Sequence, residues 1–156
     1  MVNYIFKQNR SLPYDEPGHH SFRLIANPFD ALKASTLLIQ HLSLSGFLKL
    51  LLKSVTKNRW FYCIHDHRSV VSRGWLSAGF CHYYPVGADD VVIGAVWTDP
   101  QKRGQGLATT SIQLAMNGMI QQGYESFYID TQQSNAPMLR SIEKLGFGEA
   151  CGEFHS

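Results

Sequence analysis

The segment Val96-Trp97-Thr98-Asp99-Pro100-Gln101-Lys102-Arg103-Gly104-Gln105-Gly106-Leu107-Ala108 constrains this chain more than any other. An apolar run over 91–98 ends before Pro100, and a loop with glycines at 104 and 106 opens directly into a helix. The helix is legible from its period. Ala108, Ile112, Ala115, Met116 and Met119 recur on one face of 107–122, and Gly123 stands where a C-cap belongs. Such a helix must bury its apolar face back on a sheet, which is the unit of an α/β fold. The same unit offers an anion site. Glycine lets main chain approach a ligand with no side chain between them. The first helical amides lack intrahelical partners and stand at the positive end of the dipole. Arg103 adds a fixed positive charge before the turn. The plainer reading is a strand–turn–helix that uses glycine for tightness, and one Gly-x-Gly does not separate the two.

The remaining pattern predicts a single domain over 1–156. Residues 2–7 and 21–26 read as short strands around a loop over 12–20. Asn27-Pro28-Phe29-Asp30 begins a helix. Leu32, Leu37, Leu38 and Leu42 share one face, and Phe47, Leu48, Leu51 and Val55 follow, predicting two helices broken near Ser45-Gly46. Strands over 60–65, 70–84 and 91–98, with turns at 66–68 and 85–89, make an antiparallel meander. After the 107–122 helix, 126–131 reads as a buried parallel strand. Pro137 sits in the first turn of a last helix whose Met138, Ile142 and Leu145 face inward, Gly146 ends it, and 147–154 is a final strand. The predicted class is α/β with a mixed sheet.

Composition removes several alternatives. With 44% hydrophobic residues among 156, the chain can build a core and is not disordered. Lys+Arg 14 against Asp+Glu 12 leaves +2, with no basic run, so no nucleic-acid surface is expected. The greasiest stretch, 30–55, carries Asp30, Lys33, His41, Lys49 and Lys53, whereas a membrane span needs about 20 nearly uninterrupted apolar residues. No membrane association is expected. The first ten residues show no signal pattern, and Cys63, Cys81 and Cys151 form no Cys-x-x-Cys pair. Free thiols in the cytoplasm are the expectation. His65-Asp66-His67 reads as a strand end and turn without a third ligand, so no metal is expected.

Two phosphate-binding motifs can be tested directly. Nothing matches the P-loop Gly-x-x-x-x-Gly-Lys-Ser/Thr. The dinucleotide fingerprint would place Thr109 at its third glycine, although Asp130 ends the next strand about where an acidic ribose ligand sits. This loop also lies too late in the chain to open a βαβαβ unit. A dinucleotide-dependent oxidoreductase therefore remains only as a rival.

Arg103-Gly104-Gln105-Gly106-Leu107-Ala108 fits Arg/Gln-x-x-Gly-x-Gly/Ala and resembles the acetyl-CoA pyrophosphate signature of the GCN5-related N-acetyltransferases (GNAT). Asn135-Ala136-Pro137-Met138-Leu139-Arg140-Ser141-Ile142-Glu143-Lys144-Leu145-Gly146-Phe147 resembles the second motif of the same family. The resemblance covers about 90–147. It implies a mixed sheet of about six or seven strands flanked by four helices, and acetyl transfer from acetyl-CoA to a primary amine of a small-molecule or peptide acceptor. In that reading the main chain of Val96, Trp97 and Thr98 pairs with the pantetheine arm. Amides from Arg103 through Gly104, Gln105, Gly106, Leu107 and Ala108 hold the pyrophosphate, and Asn135 bonds the pantetheine.

The resemblance leaves the acid–base groups open. Many members carry a Tyr acid at the position of Ile142, so the thiolate here would take its proton from water or the amine, or the chain is an acyl-CoA-binding module without turnover. Asp90 is one candidate base, near a catalytic Glu of histone-acetylating members, or else a turn residue. His82 is the other, read on the 70–84 strand with Tyr83 and Tyr84, or else a packed or surface histidine. Trp75, Tyr83 and Tyr84 either shape an acceptor pocket or belong to the core. The 30–55 helices would cover the acceptor, where Lys49 and Lys53 could meet an acidic group such as a nucleotide-sugar phosphate, or simply be solvated. Only one strand fits after Phe147 where the family has two. The last sheet edge is then lost, or covered by the N-terminal segment or a second subunit, which leaves a homodimer open.

Overall fold

The meander forms first in the logic of the fold. Strand β3 (Arg59–His65) is buried on both faces from Trp60 to Ile64 and lies between β2 (Ser21–Ile25) and β4 (Val70–Ala78), antiparallel to both. Strand β5 (Asp90–Thr98) continues the antiparallel run. Helix α3 (Leu107–Gln121) then carries the chain over one face to β6 (Ser126–Gln132), which pairs with β5 in parallel, as a crossover of that length requires. Two helices, α1 (Pro28–Lys33) and α2 (Ser35–Ser54), cover the other face, while α4 (Ala136–Lys144) joins α3. The computed structural model describes residues 1–13, 21–67 and 69–156. The expected loop residues 14–20, and Arg68 of the expected turn, lie outside the described residues.

Strand parity divides the core in two. Tyr62, Leu76, Ile93, Phe127 and Ile129 pack under α3 and α4 with Met116, Met119 and Ile142. Phe61 and Cys63 face α1 and α2 with Leu38, Phe47 and Leu50. The expected α/β class with a mixed sheet and four helices is what forms among the described residues.

Three local expectations need correction. The strand expected over 70–84 ends at Ala78, because Gly79 takes φ +70 and donates its N–H to Asp90 O at 2.9 Å, turning the chain off the sheet. The expected break at Ser45-Gly46 falls at Ser43 instead (φ 65, ψ 168), inside one 20-residue span. Ser43 Oγ accepts from Gly46 N at 3.4 Å and so caps the second half of α2. The last strand, expected over 147–154, is only β7 (Gly152–His155).

The sheet edge left short by that last strand is completed by the N-terminal strand. Strand β1 (Val2–Asn9) lies between β6 and β7, antiparallel to both, giving the order β2-β3-β4-β5-β6-β1-β7. The chain ends meet there: the Met1 ammonium donates to Ser156 O at 2.9 Å, and Asn3 Nδ2 donates to Ser156 Oγ at 2.9 Å. Both edges, β2 and β7, are short, which limits edge-to-edge pairing.

Tyr62 lies across Gly74 of the next strand, so that a Cβ at 74 would overlap the phenol. Its hydroxyl is buried without a hydrogen-bond partner among the described residues, and burial pushes its pKa up. Tyr62→Phe keeps the ring and removes an unsatisfied group, so it should stabilise the fold by about 1 kcal/mol. Gly74→Ala should cost about 1–3 kcal/mol by overpacking. Urea unfolding of both variants checks the pair of opposite signs.

Candidate active site: a split in the sheet

Strands β5 and β6 pair only from Asp90–Ser126 to Ile93–Ile129. Beyond Ile93, β5 stays with β4 as far as Thr98, while β6 stays with β1 as far as Gln132, so the sheet opens between them. A bulge marks the point of opening. Trp75 pairs with Gly94 and Arg73 with Trp97, which sets both Ala95 and Val96 opposite Gly74. Ala95 takes φ +50, a left-handed conformation that L-residues seldom adopt.

The extra residue resets the alternation of side chains. Val96 turns to the α3 face, where it packs on that core, and Thr98 follows it. There Ser72 Oγ lies 3.4 Å from Thr98 Oγ1, 3.0 Å from Ser111 Oγ of α3 and 3.2 Å from Trp97 O, to which it can donate. Trp97 turns to the α2 face. Its ring meets His41 of α2 at 4.7 Å, and Arg73 lies over it at 5.4 Å. Arg73 Nε donates to His41 Nε2 at 2.9 Å, which requires the imidazole to be neutral at that nitrogen. Burial, and then the Arg73 guanidinium, hold the His41 pKa below its ordinary value, with Asp99 opposing.

The opening leads into a cleft of about 600 Å³ on the α3–α4 face. Val96, Trp97, Thr98, Arg103, Gly104, Gly106, Leu107, Ala108 and Asn135 all line it; of the loop and strand residues expected at a cofactor, only Gln105 does not. Gly104 and Gly106 sit at φ +82 and +76, with nothing within 4 Å of where a Cβ would be, so the helix mouth is open. Gly106 caps α3 without a side chain, and its carbonyl accepts from Thr110 N at 3.0 Å. The amides ahead of Thr110 therefore face the cleft unclaimed by the helix ladder. The loop is pinned from outside. Asp99 Oδ1 accepts from Gln101 N at 3.0 Å, and Lys102 pairs with Asp66 at 2.7 Å. Asn135 caps α4, its Oδ1 accepting from Met138 N at 3.3 Å, which leaves its amide donors for a ligand. Arg140 and Lys144 add positive charge from α4, a contribution that sequence reading missed although both lie inside the second motif.

A second cavity, of about 320 Å³, opens on the opposite face of the sheet. Gly94 and Ala95 line it, so the same bulge floors one cavity and walls the other. His82 lines this second cavity, from the loop after β4 rather than from a strand, edge-on to Tyr83 at 5.1 Å. Asp90 lines neither cavity. It stands at the closed end of β5, where its carboxylate accepts from Gly87 N at 2.7 Å. Desolvation is the largest single influence and raises its pKa, but the nearby Ser126 hydroxyl, the Gly87 amide and the Lys7 charge together outweigh it and hold the pKa down. The turn has claimed it. Asp130 does line the cavity, one residue beyond the last β5–β6 rung, and accepts from Tyr84 Oη at 2.9 Å. Burial raises the Asp130 pKa, with the Tyr84 hydrogen bond opposing. Sequence reading weighed Asp130 only as a ribose ligand. Its signal, the first acid after an apolar strand, was present. Ile142 is 1% exposed inside the α3–α4 core and offers no proton.

The model of the acetyltransferase (GNAT) family matches residues 49–147. No curated protein matches the chain. Among solved structures, a protein from Novosphingobium aromaticivorans described as belonging to the GNAT family shares 21% identity at TM-score 0.59, over 98% of this chain and 62% of that one. The aminoglycoside N-acetyltransferase AAC(6')-Iy in complex with CoA is 15% identical at TM-score 0.60, covering 88% of this chain and 93% of its own. A tandem GNAT protein from the clavulanic acid biosynthesis pathway is 14% identical at TM-score 0.65, over 98% of this chain and 51% of that one. The chain thus spans less than two thirds of the first and third. At these identities the likeness shows the fold.

The clamp on Trp97 depends on a neutral His41. As pH falls below the ordinary histidine value of 6.5, the unfolded chain takes up a proton that the folded one resists, so stability is lost on acidification through that window. His41→Gln keeps an acceptor for Arg73 and does not titrate. Thermal midpoints measured from neutral to mildly acidic pH should fall less steeply for the variant than for the parent.

Proposed function

Since the chain belongs to the acetyltransferase (GNAT) family, we propose that it transfers an acetyl group from acetyl-CoA to a primary amine of a small-molecule or peptide acceptor. One observation carries this reading: the sheet is split at a single bulge, and a cavity reaches that bulge from each face. The cleft on the α3–α4 face suits acetyl-CoA. Its diphosphate would meet the amides at the mouth of α3, beside Arg103, and its pantetheine arm would take the strand edge of Val96–Thr98 that β6 has vacated. That AAC(6')-Iy, which has a similar fold, is found in complex with CoA supports a CoA ligand.

Bound acetyl-CoA supplies an electrophilic thioester carbonyl. The protein's work is to aim an amine at it from the other face and to stabilise the oxyanion that forms. Holding both reactants in line supplies several kcal/mol, and main-chain donors at the bulge are the groups placed to receive the oxyanion. An alkyl amine with a pKa near 10 arrives protonated and must lose a proton before attack. Asp130 is the carboxylate that would hold the ammonium, and His82, at the same cavity, is the side chain that would serve as base. Free Cys63, Cys81 and Cys151 suit a reducing cytoplasm.

The buried Ile142 favours a second reading, an acyl-CoA-binding module that does not turn over. A thiol-release assay over a broad amine panel separates the two, and a thermal shift given by NAD but not by acetyl-CoA would replace both. Gly106→Trp should fill the mouth of the cleft and raise the acetyl-CoA KM at least about tenfold; unchanged kinetics would remove the diphosphate from this loop. Asp130→Asn should lower kcat/KM for the amine by about tenfold or more with acetyl-CoA affinity retained, since a charge-assisted contact is lost on the acceptor side alone.

A further inference from the structure

The acceptor cavity is electrically two-ended, and this bears on what enters it. Two cations line it, Lys53 from the last turn of α2 and Arg59 from the start of β3. Each is held against an aromatic face: Lys53 Nζ lies 5.0 Å from the Trp75 ring centroid, and the Arg59 guanidinium lies 5.9 Å from that of Phe80. Neither has a carboxylate partner among the described residues. Asp130 is the one carboxylate among the described lining residues, and it stands on the β6 side beside the bulge. Trp75, which carries Lys53, shares its rung with Gly94 on β5. Asp130 lies past the last β5–β6 rung, so the main chains of Trp75 and Asp130 stand two strands apart, at least about 10 Å.

We infer that the acceptor is an amine that also bears an anionic group, its ammonium directed to Asp130 and its carboxylate or phosphate to Lys53 and Arg59. This rests on the acetyltransferase reading and narrows its substrate class. A polycationic acceptor such as an aminoglycoside fits badly, because its further ammonium groups would face two cations that have no carboxylate partner among the described residues. A short bifunctional acceptor spans the distance. Lys49, one turn earlier on α2, lines neither cavity and takes no part.

The test uses one scaffold with its far end varied. Binding of 6-aminohexanoate, 6-aminohexyl phosphate, 6-aminohexanamide and 1,6-diaminohexane is measured by calorimetry on the full chain saturated with CoA, and thiol release is measured with acetyl-CoA. The two anionic compounds should bind at least about tenfold more tightly than the amide and the diamine, and comparison of the two tells carboxylate from phosphate. Lys53→Gln and Arg59→Gln should erase most of that preference while leaving the weaker amide and the acetyl-CoA KM unchanged. Equal or tighter binding of the amide, the diamine or an aminoglycoside overturns the inference. Anion-selective binding without thiol release supports the two-ended ligand site and overturns its role as an acceptor site. Thiol release without anion preference does the reverse.

Discussion

Ala95 is held in a conformation that costs an L-residue about 1–2 kcal/mol, and the rest of the site follows from that constraint. A regular β5 would keep Val96 and Thr98 on the α2 face and continue its ladder with β6. The extra residue opposite Gly74 instead turns those two side chains under α3 and ends the parallel pairing at Ile93. Gly74 is suited to face a bulge because it has no side chain to place there, and the space above it is already taken by the Tyr62 ring. The strain is offset by what clamps the strand on either side. Ser72, itself bonded to Ser111, holds Thr98 from one face, and His41 and Arg73 hold Trp97 from the other.

The two cavities that meet at this point differ in kind. The cleft under α3 is built largely from main chain and glycine, with Arg103, Arg140 and Lys144 around it, an environment for a long polyanion. The cavity on the other face is built from side chains of four strands, a helix end and the loop between β4 and β5, and its charges are set at opposite ends. Main chain offers the same groups whatever the side chains, whereas side chains can change without disturbing the sheet. On the proposed reading, acceptor choice would reside on the α2 face, with Lys53, Arg59, His82 and Asp130.

Much of this was legible in the sequence because it is local. The glycine loop, the α3 period and the helix start at Pro137 each depend on a few neighbouring residues, and each forms where expected. What was harder to read is where a strand stops and what a side chain meets. Of the two readings of Asp90, base or turn residue, its geometry favours the turn, since the carboxylate accepts from Gly87 N three residues back. His82 looked like a strand residue because the aromatic run after Ala78 has β propensity, yet a left-handed Gly79 ends the strand first. Asp130 was visible, but its burial and its bond from Tyr84 arise only when the 79–89 loop folds across β6. The bulge left no mark at all, since Gly-Ala-Val within an apolar run reads like any other strand.

Strand β1 has a consequence for how the molecule is assembled in time. It precedes the other described strands in the sequence, yet its two neighbours in the sheet, β6 and β7, are the last of them. Until those arrive it has no ladder to join, and its apolar residues must wait in solvent or in chaperone hands. Pairings that span nearly the whole chain raise contact order and slow folding. The antiparallel meander can collapse early, but the sheet closes only when β1 meets β6 and β7.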